Sequence, residues 1–431
     1  MMFNLVKKVP SHALMPLLAG VIGVITGVLA HLLKIMIAGV SGVMTFGLDM
    51  TTDNPVLIAL PVAGLLLTIV ICKYVFKDNL AHGVSQLVDR LKTKRLYYSP
   101  MRIISPLVSS SVTLGMGGSA GAEGPIVSSG SAVGSNVARL TGVNQQQMML
   151  LVGCGAGAGI AGIFTSPLGG AFFTLEVLRL PLSAISVLPI FIASISAGLV
   201  AYSLHGFEAN THLDSFVSFQ PEYLWVAVVV GIVCGLYSLY YNYIMSLVGR
   251  FLNGVKRRWC VPVIAGLVIG LSLFCFPALY GEGYGVLTHA LNGDFQAVVQ
   301  GGVMAGGKLT VGALIIACLG IVVLKCFVTS ATNNGGGVSG EYAPTLFAGC
   351  FVGLALSQGM SLLFGIDIPY TICILLAMSA AMSGIIKAPL MAIVIVSEMT
   401  VSYAIFLPLC IASMLSYGIV RLVSLKTQQS N

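Results

Sequence analysis

From Ile103 to Leu204 the chain is apolar, broken by runs of Gly and Ser and by Gln145-Gln146-Gln147. Few folds accept such a stretch. Inside a bilayer every backbone polar group must be satisfied within the chain, so only helices and closed barrels span it. A barrel would show short alternating segments instead. A soluble protein carries roughly a quarter charged residues; here they are 8% of 431, against 57% hydrophobic. The sequence predicts an all-α polytopic membrane protein.

Other apolar runs fit that reading. Leu14 to about Ile37 is too long for a signal-peptide core and has no small-residue cleavage site, so it is the first membrane helix. Pro55 to Ile71 follows, then a polar stretch, Lys73 to Arg102, with most basic residues of the first half. Apolar sequence resumes at Leu224 to Met245, breaks at Arg250 to Arg258, and continues to Tyr280. A polar loop, Gly281 to about Lys308, precedes further apolar segments to Val423 and a polar tail, Ser424–Asn431. The polar segment Gly206 to Glu222 divides the chain. This gives a first membrane repeat (1–208), a connecting loop (209–222) and a second repeat (223–431) within one membrane domain.

The net charge of +7 does not point to nucleic acid, because the basic residues cluster in short loops: Lys7-Lys8, Lys73 to Arg102, Arg250 to Arg258, and Lys426. Such loops mark the cytoplasmic side. The ten cysteines lie singly in apolar runs with no CxxC pair, and read as packing residues. No metal site or cofactor is expected. Neither HExxH nor a serine–histidine–acid arrangement is present, so the chain is not expected to be an enzyme.

The two halves share their punctuation. Gly121-Ala-Glu-Gly-Pro125, with Gly130 five residues on, matches Gly340-Glu-Tyr-Ala-Pro344, with Gly349 five residues on. Gly162-Ile-Phe-Thr-Ser-Pro167, with Glu176 nine after the proline, matches Gly384-Ile-Ile-Lys-Ala-Pro389, with Glu398 nine after. The first pair is offset by 219 residues and the second by 222. Several apolar runs between these breaks are too short to span, and broken membrane helices are tolerated only where buried or lining a cavity. Repeats interrupted at corresponding places point to a transport site between halves. The punctuation alone leaves open whether the repeats are parallel or inverted.

Four acidic residues fall inside hydrophobic stretches: Glu123, Glu176, Glu341 and Glu398. An intramembrane charge is a functional-site hypothesis by default. Glu123 lies between glycines and just before Pro125, which suits the first turn of a helix. A helix N-terminus is an anion site, so Glu123 places a carboxylate where an anion would sit, and reads as a gate. A buried structural cap is the alternative. Glu176 and Glu398 occupy equivalent repeat positions, and that symmetry suggests a structural task for both. Glu341 stays open. Tyr403 is either an interface-belt tyrosine or a hydroxyl donor to an anion. His82, in Leu80-Ala-His-Gly-Val-Ser85, is either a loop residue or stands at a membrane entrance.

These residues resemble the CLC family of chloride channels and chloride/proton antiporters, over about Met15 to Val423. The most specific motif is Gly-Ala-Glu-Gly-Pro at 121–125, similar to the family's G-x-E-G-P. Supporting it are Phe164-Thr-Ser-Pro-Leu168 with Leu175-Glu176, Ser339-Gly-Glu-Tyr-Ala-Pro344 against G-x-F-x-P, and Ile385 to Tyr403. The resemblance implies a CLC-type fold: two inverted-topology repeats with short broken helices around a central anion site. It implies a homodimer in the lipid bilayer, one ion pathway per subunit, in a bacterial inner membrane. Glu123 would be the gating glutamate, competing with the anion and exchanging protons with the outer side. Backbone amides of Ala122, Gly124, Glu341 and Tyr342, with the Tyr403 hydroxyl, would hold the anion without a full positive charge to trap it.

Three departures stand out. The family's G-S-G-I-P is Ala81-His-Gly-Val-Ser85 here, so His82 stands where a serine would bind the anion; a protonated histidine there would tighten binding at low pH. Glu341 replaces an apolar residue beside the site. The antiporters' inner proton-transfer glutamate falls at Val177, directly after Glu176. Glu341, or Glu176, is then the proton-relay candidate. The expected activity is chloride/proton exchange gated by Glu123, since the chain lacks the cytoplasmic regulatory domains frequent in the family's channels and has both Glu123 and Tyr403. The alternatives are passive chloride conduction, favoured by Val177, or transport of another anion such as fluoride or nitrate.

Overall fold

The computed structural model describes residues 11–46, 54–78, 83–181, 183–204, 221–302, 309–401 and 403–429. The first half runs through α1 (Ser11–Met44), α2 (Val56–Val70), α3 (Gly83–Lys92), α4 (Ser105–Gly115) and α5 (Glu123–Thr141). It continues with α6 (Gln145–Phe164), α7 (Pro167–Phe172) and α8 (Ala184–Leu204). The second half has α9 (Leu224–Gly254), α10 (Cys260–Cys275), α11 (Tyr284–Leu291), α12 (Phe295–Val298) and α13 (Val311–Asn334). It ends with α14 (Tyr342–Phe364), α15 (Tyr370–Ile386), α16 (Pro389–Met399) and α17 (Phe406–Gln429). A π-helical turn extends α2 to Phe76 and another extends α7 to Val177.

Eight helices among the described residues are long and apolar enough to cross a membrane. Their outward faces carry exposed Leu17, Val28, Leu199, Leu236 and Ile316, a surface that suits lipid. The inner helices α5, α6, α14, α15 and α16 are buried almost all round. The sequence breaks are ends of helices. Gln145-Gln146-Gln147 opens α6 through a capping box: Asn144 accepts the Gln147 N–H at 2.9 Å, and Gln147 accepts the Asn144 N–H at 3.1 Å. The stretch expected as a loop after Gly281 contains α11 and α12, and the expected polar tail is the last turns of α17. Of the expected connecting loop, 209–222, residues 209–220 lie outside the described residues.

Packing in one half recurs in the other. The pairs α5–α6, α1–α8 and α1–α6 have counterparts in α14–α15, α9–α17 and α9–α15. The shared glycines explain one of these. A Cβ on Gly130 would stand 2.1 Å from the Gly155 carbonyl, and one on Gly349 would stand 2.5 Å from that of Ala377. Small residues at both places let the backbones touch, the usual basis of membrane helix packing where lipid is as apolar as leucine.

The two halves also exchange hydrogen bonds in pairs. Ser119 N–H donates to Thr332 Oγ1 at 3.1 Å, and Val338 N–H donates to Thr113 Oγ1 at 3.1 Å. Each residue of the first bond has its twin 219 places away in the second, with the halves swapped. Such reciprocal contact is the signature of a two-fold axis. It runs through the extended segments before α5 and α14, which pair antiparallel: Gly121 N–H meets Gly340 O at 3.0 Å, and Gly340 N–H meets Gly121 O at 2.7 Å. Backbone at membrane depth that leaves the helix must find partners in protein. Here the repeat supplies them.

Candidate functional site

Both breaks deliver the N-terminus of a buried helix to the centre of the molecule. On one side α5 begins with Glu123, whose side chain is buried. Its carboxylate accepts the N–H of Tyr342 and, at 3.2 Å, the N–H of Ala343, the first two residues of α14. A helix start leaves its first N–H groups without partners inside the helix, and Glu123 takes two of them. The side chain reaches there by folding over Gly121, where a Cβ would stand 1.9 Å from one carboxylate oxygen and 2.4 Å from the other. Only glycine leaves that room.

A cavity of about 350 Å³ opens beside this contact, lined by Gly83, Ser85, Asp89, Gly124, Val177, Asn333, Ser339, Glu341, Tyr342 and Ile385, among others. Residues of α3, part of the basic Lys73–Arg102 stretch that marks the inner side, line it. Gly124 and Tyr342 thus line the same cavity, and Ala122 is buried immediately before Glu123. Gly83 packs on Gly124: a Cβ on it would stand 2.5 Å from the Gly124 carbonyl oxygen. The segment Gly83–Ser85 therefore reaches the site; His82, the expected serine replacement, lies outside the described residues.

Glu341 lines the cavity and its Oε1 accepts from Asn333 Nδ2 at 3.3 Å. Asn333 is in turn fixed by Ser339 Oγ at 2.5 Å. The side chain of Glu341 is thus held beside the cavity by Asn333. Val177, where the family resemblance expects the inner glutamate, lines the same cavity. Tyr403 stands apart in the turn before α17. It is 52% exposed, has Glu398 and Tyr202 as its electrostatic neighbours, and is not among the described lining residues.

Glu176 and Glu398 are turned to other work. Glu176 accepts the N–H of Leu390 at 3.3 Å and of Met391 at 2.9 Å, at the start of α16. Glu398 accepts the N–H of Leu168 at 3.1 Å and of Gly169 at 3.0 Å, at the start of α7, and the Ser166 hydroxyl at 2.5 Å. Each carboxylate caps the short helix of the opposite half, with twins 222 residues apart. Both helices follow a left-handed residue, Thr165 at φ 53° and Lys387 at φ 64°, also 222 apart. The symmetry in the sequence is the symmetry of this exchange.

Two charged residues beside Glu123 escaped the sequence reading. Lys325, on α13, is fully buried; its Nζ donates to Ser119 Oγ at 2.9 Å and lies 4.4 Å from the centre of the Phe347 ring. Glu282 accepts the Ala122 N–H at 3.1 Å. The signal for Lys325 was available, since a lysine inside an apolar run is as costly as a glutamate. For Glu282 it was not: it stands in a polar stretch between Gly281 and Gly283.

A buried carboxylate laid on a helix N-terminus, between halves that repeat each other, defines a multi-pass membrane protein built around an anion pathway. The model of the voltage gated chloride channel family matches residues 63–421. The chain belongs to that family, the CLC proteins. It is similar to a ClcB-like chloride channel protein of Ralstonia nicotianae, 27% identical over 372 residues, covering 83% of this chain and 80% of that one. It is also similar to the H(+)/Cl(−) exchange transporter ClcA of Vibrio campbellii, 29% identical over 310 residues, covering 70% of this chain and 62% of that one. Among solved structures, that of a slow cyanobacterial Cl−/H+ antiporter has a TM-score of 0.80 at 21% identity, over 96% of both chains. That of a CLC-type fluoride/proton antiporter has 0.76 at 20% identity, over 94% of this chain and 95% of that one. The all-helical, multi-pass fold expected from the sequence is therefore the fold of this chain.

Proposed function

We propose that this chain exchanges chloride for protons across a membrane, with Glu123 as the gate that both ions contend for. The observation that carries the reading is the Glu123 carboxylate on the N–H groups of Tyr342 and Ala343. Those donors form an anion site in their own right. An ionised Glu123 fills the site; a protonated Glu123 has lost the charge that holds it there and yields the donors to chloride. One side chain thus answers to both ions, and that is the minimum needed for coupling. The backbone amides of Gly124, Glu341 and Tyr342 complete the anion's surroundings in this reading; the Ala122 N–H, expected from the sequence to join them, is instead donated to Glu282 at 3.1 Å. His82 and Tyr403 remain proposed ligands, of which Tyr403 is the less supported by its exposed position.

On the inner side Glu341 takes the place of the carboxylate missing at Val177, because it lines the same cavity. Glu176 is the weaker relay, being engaged as a cap. The working unit is a homodimer in the bilayer with one pathway in each subunit, and the repeats extend over 1–208 and 223–431. No enzymatic step belongs to this reading. A passive chloride conductance is the second reading, favoured by Val177 facing the cavity.

Chloride efflux from proteoliposomes, with external pH recorded, tests the proposal. Proton uptake driven by chloride efflux, abolished in Glu123→Ala while chloride still moves, is the expected result. Chloride movement without protons in the wild type would replace exchange by conduction.

A further inference from the structure

A second cavity of about 410 Å³, sharing no lining residue with the first, is lined by Lys34, Ser41, Tyr280, Glu282 and Tyr284. Its α1 residues lie in the distal part of a helix whose start follows the basic Lys7-Lys8 lead, so it belongs to the outer side. Glu282 sits in the bend before α11 between two left-handed glycines, Gly281 at φ 61° and Gly283 at φ 85°. That bend turns its carboxylate inward to the Ala122 N–H at 3.1 Å. Glu123 meanwhile folds back over Gly121. Both carboxylates are therefore held against the same three residues, Gly121 to Glu123, and one of them also faces the outer cavity.

We propose that Glu282 is a second proton-exchanging carboxylate, through which protons pass between the outer cavity and Glu123; this rests on the exchange reading above. A hydronium in the cavity gives its proton to the Glu282 carboxylate and leaves as water. The resulting acid passes the proton to the Glu123 carboxylate and becomes a carboxylate again. Neutral Glu123 then frees the Tyr342 and Ala343 N–H groups for chloride, and the reverse sequence carries a proton outward. The groups facing this path are Lys34 from α1, Lys325 from α13, Tyr284 from α11 and Tyr280 beside the bend, and both lysines interact electrostatically with Glu282. With both ammonium groups charged, the two carboxylates balance them. One added proton leaves one positive charge, which one incoming chloride neutralises. Buried charge is tolerated when it is paired, so the arrangement favours loading a proton and an anion together.

The competing explanation is that Glu282 only satisfies the buried Ala122 N–H. A glutamine can accept that N–H through its carbonyl oxygen but cannot carry the proton. Chloride and proton fluxes should therefore be measured together in proteoliposomes for wild type, E282Q and E282D. The expected result is a proton flux lowered about a hundredfold or more in E282Q with chloride flux retained, the scale of losing a positioned proton-transfer group. E282D, which keeps a carboxylate, retains coupled proton flux. A wild-type proton-to-chloride ratio in E282Q overturns the proposal, as does a parallel loss of both fluxes in both variants, which would make Glu282 a structural peg. Wild-type protein that moves chloride without protons sinks the exchange reading, and this one with it. Coupled wild type beside coupled E282Q sinks only the role of Glu282.

Discussion

If Glu123 occupies the place an anion takes, removing it should strengthen anion binding by an amount the geometry sets. The carboxylate holds two backbone N–H donors, those of Tyr342 and Ala343. A hydrogen bond to a charged group contributes about 1.5–3 kcal/mol, so even the lower figure gives roughly 3 kcal/mol for the pair. Chloride must displace that contact before it binds, and its apparent affinity falls by the fraction of molecules in which the site stands open. At about 1.4 kcal/mol per tenfold, the handicap is on the order of a hundredfold. Glu123→Ala removes it altogether. Glu123→Gln keeps a carbonyl oxygen that can reach the same donors, but a neutral acceptor is about half as strong, so its affinity falls between the other two. Calorimetric titration of chloride into the purified protein in detergent measures all three. Equal affinities in wild type, Glu123→Gln and Glu123→Ala would refute the reasoning, because the carboxylate and the anion would then not share a site.

Three further outcomes follow from the same geometry. Gly121→Ala should expel the Glu123 carboxylate, since the new methyl would stand 1.9 Å from one of its oxygens; flux assays should show chloride movement with proton coupling lost, and wild-type coupling would contradict the placement. Glu398→Ala leaves three donors without their partner in a buried setting, at about 1–3 kcal/mol each where they find no replacement. Glu176→Ala leaves two at a half-buried one. Unfolding midpoints in detergent should therefore fall further for Glu398→Ala, and the reverse order would show that these contacts do not set stability. Glu341→Gln should lower proton flux relative to chloride flux in liposomes; an unchanged ratio removes Glu341 from the inner proton path.

How much was legible in the sequence differs from residue to residue. The fold announced itself because lipid permits so few solutions, and because the punctuation of the two halves is backbone chemistry. Gly130 and Gly349 recur because two helices must touch there, and Pro167 and Pro389 because short helices start there. Glu176 and Glu398 were legible as a pair because a cap exchanged across a two-fold axis has to appear twice. Glu282 was hidden because its chemistry comes from Gly281 and Gly283, whose left-handed turn carries a residue from a polar stretch into the protein. Lys325 was legible as a lysine inside an apolar run, but only the fold places its ammonium beside Ser119. Val177 had meaning only through family resemblance, and the cavity gives it a position of its own.

The symmetry also separates what builds this protein from what makes it work. The Ser119–Thr332 and Val338–Thr113 bonds are twins, and so are the caps made by Glu176 and Glu398. The residue equivalent to Glu123 in the second half is Tyr342, offset by 219. A tyrosine side chain cannot return the contact as a carboxylate, so the start of α14 is covered by an acid and the start of α5 is not covered in kind. Glu123 has no twin. A carboxylate kept for stability alone could be placed twice, as Glu176 and Glu398 are. One placed only once, at the junction of the two halves and beside a cavity, is what the proposed pathway requires, since its two ends must differ. Glu282 and Lys325, bonded to Ala122 and Ser119 beside that junction, deepen the same asymmetry.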